Sequence, residues 1–294
     1  MTGRGRPWPV VGLFGLVTVL LAYASPTAAA HQPTGDYAPF ADCPLSNPKT
    51  DVCFFARAEG GELRIGRKAI PIAKTMTIQG GIHEDRASGS QEFIGAEGGE
   101  TFATAPQAIP GGRFEIAAPR SLPGYVRAIF DEFIAREATA LTATTELAAA
   151  PSAVQIDTQD LAEAKRGGLS LPVKIKLGSP LLGAGCYIGS DAQPVSIPLT
   201  TGTTARSPSH PSITGKPGHA HFKDEYNLVT IDGDALVNDS FPAPRATGCG
   251  GMLAFLVEPA INAALALPVA AGGNEAVLSG TLQTANAPAV KASE

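Results

Sequence analysis

Charge and aromatic rings are scarce in this 294-residue chain: 17% of residues are charged, 6% are aromatic, and Trp8 is the one tryptophan. Three motifs are missing as well: a Cys-x2-Cys pair, a Gly-x-Ser-x-Gly elbow, and a glycine loop opening directly into a helix. Without close-set cysteine pairs, the four cysteines do not read as a zinc knuckle. Without the elbow, a hydrolase serine has no strained strand-to-helix turn to stand on. Thr214-Gly215-Lys216 runs into Pro217, which spoils the helix start that a phosphate-cradling loop needs. The carboxylate pairs Asp131/Glu132 and Asp224/Glu225 lack the stacking aromatics that would suit sugar chemistry, since Trp8 falls in a removable leader. Asp232-Gly233-Asp234 reads as a hairpin turn, because Asp-Gly favours positive φ.

Residues 1–30 read as a secretory signal peptide. Arg4 and Arg6 supply charge, Val10 to Ala24 are largely apolar, and Ala28-Ala29-Ala30 offers small residues for cleavage. The run is short of the roughly 20 apolar residues a membrane helix needs. Gly5 separates the two arginines, so a twin-arginine signal is not supported, and no cysteine marks the cleavage region for lipid attachment. Removal leaves His31 to Glu294, with 20 basic residues against 27 acidic. Such an acidic chain lacks the basic footprint of a nucleic-acid binder and gains nothing from acidic headgroups. The mature chain holds no integral membrane segment on this reading.

What remains is turn-rich: 33 Gly and 25 Pro favour many short strands over long helices. Cys43, Cys53, Cys186 and Cys249 form an even set, which in an exported protein reads as two disulfides. Of three pairings, Cys43–Cys53 with Cys186–Cys249 is preferred, the first closing a short Pro-containing loop and the second a long excursion. A nucleophilic Cys249 within Gly248-Cys249-Gly250-Gly251 is the reactive alternative.

Residues 31–41 read as a flexible tether. From there period-two alternation marks strands at Val52 to Ala56, Leu63/Ile65, Ile70/Ile72, Met76/Ile78 and Phe114/Ile116. Gly80-Gly81 is expected to turn the chain, and residues 83–90 to form an exposed loop. An amphipathic helix is expected over residues 124–136, with Val126, Ile129, Phe130, Phe133 and Ile134 on one stripe. Residues 138–149 suit an extended segment, and a short helix capped by Asp157 or Thr158 follows. Leu169, Leu171, Val173, Ile175 and Leu177 alternate strictly, and Pro172 makes that strand either a sheet edge or one whose first residues lie outside the ladder. Further strands fall near Cys186, Val195 to Leu199, Tyr226 to Ile231 and Ala276 to Thr284. Pro259 should kink or split a helix over residues 252–267. Residues 286–294 read as a disordered tail, and residues 42–285 as one β-rich domain with an alternative boundary near Ser121. The fold class is mainly β: an antiparallel sandwich or flattened barrel with one amphipathic helix and minor helical segments.

Several segments together resemble a family of uncharacterised secreted actinobacterial proteins. They include Ile78-Gln79-Gly80-Gly81, Leu171 to Leu177, Gly185-Cys186-Tyr187-Ile188-Gly189-Ser190, Leu199 to Thr204, and Leu267-Pro268 through Gly280-Thr281-Leu282. The resemblance implies a secreted protein without an assigned reaction, and brings no catalytic residues with it.

Three functional readings follow. The first is a non-enzymatic extracellular or envelope-associated protein acting through its surface. The second is a carrier of an apolar ligand, lined by the stripe Val126, Ile129, Phe130, Phe133 and Ile134. The third is a zinc-dependent hydrolase. His219 and His221 alternate onto one side of an extended segment, with His210 or Asp224 as a third ligand. A serine centre near Ser88, Ser90, His83, Glu84 and Asp85 is read instead as an exposed loop. No cofactor other than that zinc is expected.

Overall fold

Alternating apolar residues become strands here because two sheets offer each other an inner face. The computed structural model describes residues 32–110, 120, 122–137, 141–165, 167–205 and 211–294, without the side chains of residues 130 and 133–137. The leader, the strand expected at Phe114 and Ile116, Ser121 and His210 lie outside the described residues.

The chain first lays down β1 (Val52–Ile65), β2 (Lys68–Pro71), β3 (Met76–Glu84), β4 (Gln91–Gly95) and β5 (Phe102–Ala103). It crosses to a second layer through β6 (Gln107–Ala108), followed by α1 (Gly124–Glu137), β7 (Thr142–Leu147), β8 (Gln155–Ile156) and α2 (Thr158–Ala162). That layer continues with β9 (Leu169–Gly178), β10 (Tyr187–Ile188) and β11 (Val195–Leu199). Then β12 (His219–Lys223) and β13 (Leu228–Asn238) return to the first layer, and β14 (Ala246–Thr247) rejoins the second. After α3 (Ala254–Leu265), β15 (Glu275–Asn286) enters the middle of the first sheet and leads into α4 (Ala287–Ala292). The first sheet has order β12-β13-β15-β1-β3-β4, with β2 on β1 and β5 on β3. The second has order β14-β10-β9-β7-β6, with β8 and β11 also on β9. The named strand pairs are antiparallel, and neither sheet closes into a barrel, as a sandwich requires.

One apolar cluster draws on both sheets, including Phe54, Ile78, Ile175, Leu199, Leu236 and Leu282. A second, smaller cluster covers the outer face of the first sheet, where Phe40, Cys43, Cys53, Leu228, Ala285 and Val290 pack together. Disulfides join Cys43 to Cys53 and Cys186 to Cys249, the preferred pairing, which leaves no free thiol at Cys249. No helix among the described residues is long and apolar enough to cross a membrane.

Several local expectations are corrected. Strand β9 is central rather than an edge, flanked by β7 and β8 on one side and β10 and β11 on the other. Pro172 is tolerated because it stands where β7 has ended at Val173 and β8 has not begun at Ser170. Its carbonyl still accepts from the Ala148 amide at 3.0 Å. Gly80 and Gly81 lie inside β3, paired with Phe54 and Cys53, and turn nothing. Pro259 stays inside an unbroken α3, where the carbonyl it leaves unpaired belongs to Phe255 near the exposed helix start. The tether and the tail are both structured. Residues 35–40 form a 3-10 turn that buries Phe40, and residues 287–292 form α4, which buries Val290. The two segments meet: the Thr34 hydroxyl donates to the Ser293 carbonyl at 2.7 Å. Apolar side chains at each end find partners only once both have folded over the same sheet face.

Candidate functional site

Three adjacent strands of the first sheet are irregular at one level. Strand β15 runs straight, sending Ala276, Leu278 and Leu282 inward. On one side Gly280 pairs with Ala58, where the β1 ladder slips between Ala58 and Gly60. On the other Gly280 pairs with Asp234, where the β13 ladder slips between Asp232 and Asp234. Each slip inserts one residue, a β-bulge, which reverses the faces of everything beyond it. Inward residues of β1 accordingly change from Phe54 and Ala56 to Leu63 and Ile65. Those of β13 change from Ile231 to Asp234 and Leu236. Gly233 takes φ 67°, the left-handed geometry such an insertion favours. Gly280 permits the close approach between them, for a Cβ there would stand 1.7 Å from the Arg57 carbonyl oxygen. The Asp-Gly-Asp expected to be a hairpin turn is therefore a bulge inside a strand, using the same positive φ.

The paired bulges leave a gap between the sheets. It measures about 60 Å³, and its wall includes Ala58, Met76, Leu171, Leu199, Leu236 and Leu278. Most of that wall is hydrocarbon; Arg57, Thr145, Ser279, Thr281 and Asp234 are the polar residues on it among the described residues. Asp234 borders the gap, is 7% exposed, and its Oδ1 has no hydrogen-bond partner among the described residues. Burial pushes its carboxyl up to about 6, against the pull of the Gly280 amide and its own amide, while the charge of Asp232 adds a smaller push. A carboxyl poised near neutrality in an apolar gap can accept or release a proton, and can pair with a donor brought in by a guest.

Among the described residues of α1, none borders this gap: Val126 is half-buried and Ile129 is 66% exposed. The side chains of Phe130, Phe133 and Ile134 lie outside the description.

His219 and His221 do share β12, an exposed edge strand of the first sheet. His221 Nε2 stands 3.7 Å from Asp232 Oδ2, and His219 pairs with Asp232 across the ladder. Asp224 opens a left-handed turn after β12, and its carboxylate accepts from the Tyr37 hydroxyl. Burial first, and then that carboxylate, push Tyr37 up to about 12. No group of three His, Cys, Asp or Glu placed to hold a metal occurs among the described residues. Of the stretch expected as a loop, His83 and Glu84 end β3, with His83 Nδ1 2.8 Å from Asp51 Oδ2, and beyond them the Ser88 hydroxyl donates to Asp85 at 2.6 Å.

Sequence reasoning missed Asp234 and the gap it borders. The signal was present as a change of parity along β1 and as two carboxylates interrupting an apolar strand. Compared with known protein families, curated proteins and solved structures, the chain matches none.

Proposed function

We propose that this protein is an exported, non-enzymatic binder of a small apolar molecule held between its two sheets. The observation that carries the reading is the largely hydrocarbon-walled gap at the paired bulges. Binding pockets are typically apolar with a few placed polar groups, and this gap has that character. Export rests on the leader at residues 1–30 and on the resemblance to secreted proteins, and the two disulfides suit an oxidising compartment.

Size limits the guest. A water needs roughly 10–15 Å³ on this scale and a benzene-binding cavity is roughly 150 Å³. A gap of about 60 Å³ takes the head and first few carbons of a chain, with the remainder held toward the exposed side at Arg57 and Thr281.

Native mass spectrometry of gently purified exported protein should show a small retained mass that leaves on denaturation. Added 1-hexanol should raise Tm by a few degrees at tenfold its Kd. Ala58→Val, which extends a wall residue into the gap, should remove the hexanol effect. It should also stabilise the empty protein by up to ~1 kcal/mol, since unfilled volume costs about 24 cal/mol per Å³. An unloaded mass together with a Tm indifferent to hexanol would falsify the reading.

A second reading, action through the surface, is favoured by one patch. Met252 is 97% exposed, Phe255 69% and Leu253 37%, together at the start of α3. If this patch holds the protein to the cell envelope, Met252→Ser with Phe255→Ser should shift it severalfold from the cell-associated to the released fraction. An unchanged distribution removes that role.

A further inference from the structure

We propose that Asp234 is the anchor for the ligand's head, and that the ligand is an apolar primary amine whose ammonium group pairs with this carboxylate. The inference rests on the reading of the gap as a binding site and names the class of molecule it takes.

Asp234 is 7% exposed, and its Oδ1 lacks a hydrogen-bond partner among the described residues. Buried polar atoms are nearly always satisfied, and one left open in a binding gap marks where a partner is expected to arrive. A guest with a donating, positively charged head satisfies the oxygen and neutralises the carboxylate in one contact. A fatty acid would bring a second negative charge to the same place, which like-charge repulsion disfavours. An alcohol would supply the hydrogen bond without the charge.

The surrounding charges leave that role open. Among the described residues, Arg57 of β1 is the other ionisable one bordering the gap, but it is exposed and its guanidinium stands 3.5 Å from Glu59. Lys216 approaches the bulge from outside, 4.0 Å from where a Cβ would stand on Gly233. Asp232 lies across the bulge beside His221. Of these, Asp232 alone acts on Asp234 through its charge, and it makes the site more attractive to a cation. Strands β3, β5, β7, β9, β11 and β15 bring no ionisable side chain to the wall.

The test compares hexylamine, 1-hexanol and hexanoate by calorimetry on the full exported chain. At pH 7.5 hexylamine should bind at least tenfold tighter than hexanol, and hexanoate more weakly than either. At pH 4.5, where Asp234 holds its proton, the gap between amine and alcohol should close to within threefold; neither of those ligands titrates in this range. Asp234→Asn should close the same gap at pH 7.5. Should that variant fail to fold, the pH series on the unaltered chain decides alone. Equal binding of amine and alcohol at pH 7.5 overturns the amine assignment while leaving the gap a binding site. Failure of all three compounds to bind overturns both.

Discussion

Strand β9 and the trio β13-β15-β1 solve the same packing problem in opposite ways. In β9 every inward residue from Leu169 to Leu177 keeps step, and Ile175 is fully buried. Opposite it, two strands break step at the same level, and the layer between the sheets opens there. The difference teaches where this molecule keeps its regularity: the second sheet is an even backing, and the first carries the irregularity that opens the gap.

The sharpest break of that comparison is Ile175→Ala. It removes a fully buried side chain from the regular side and should destabilise the protein by about 4 kcal/mol, read as a lowered urea midpoint at unchanged slope. Gly280→Ala attacks the irregular side instead. Its Cβ would meet the Arg57 carbonyl at 1.7 Å, so the two bulges must move apart. A loss of about 3 kcal/mol is expected, together with loss of the hexanol-induced Tm rise. Ile175→Ala, by contrast, should keep that rise wherever the protein remains folded.

Asp234→Asn works in the other direction. In the folded protein the Asp234 carboxyl titrates at about 6, above the roughly 3.9 of an unfolded aspartate. The fold therefore binds this proton more tightly than the unfolded chain does. The resulting stability is full below about pH 4 and is lost as pH rises through 6. Allowing for solvent screening, the loss is about 2 kcal/mol. Asp234→Asn should abolish this fall and, at pH 7.5, raise Tm by about 5 °C over the unaltered protein. A variant no more stable at pH 7.5, with the pH dependence intact, would show that burial of this charge carries no penalty.

Strand β9 was readable in the sequence because its period never changes, and the disulfide pairing because loop lengths favoured one choice of three. The trio was not, since a bulge looks locally like the end of one strand and the start of another. Phe54 and Ala56 point to one face and Leu63 and Ile65 to the same face with opposite parity, which reads as two short strands unless the partner is known. Asp232-Gly233-Asp234 carries the right backbone chemistry for either a turn or a bulge, and only β15 running past it decides. The amphipathic stripe of α1 suggested an inner surface, yet Tyr125 is 72% and Ile129 66% exposed, because the strands had already covered one another. Terminal order was hidden for a similar reason: Phe40 and Val290 are 250 positions apart in sequence and meet only on the finished sheet.

The clasp of Thr34 onto Ser293 has a practical side. Because residues 34 and 293 meet over the outer cluster, a support, label or fusion fastened after Glu294 starts from the face opposite the hollow between the layers. A chain beginning at residue 32 could be closed into a ring by a few flexible residues after Glu294, and reopened at Gly89, where a turn has empty space around it, without severing either sheet.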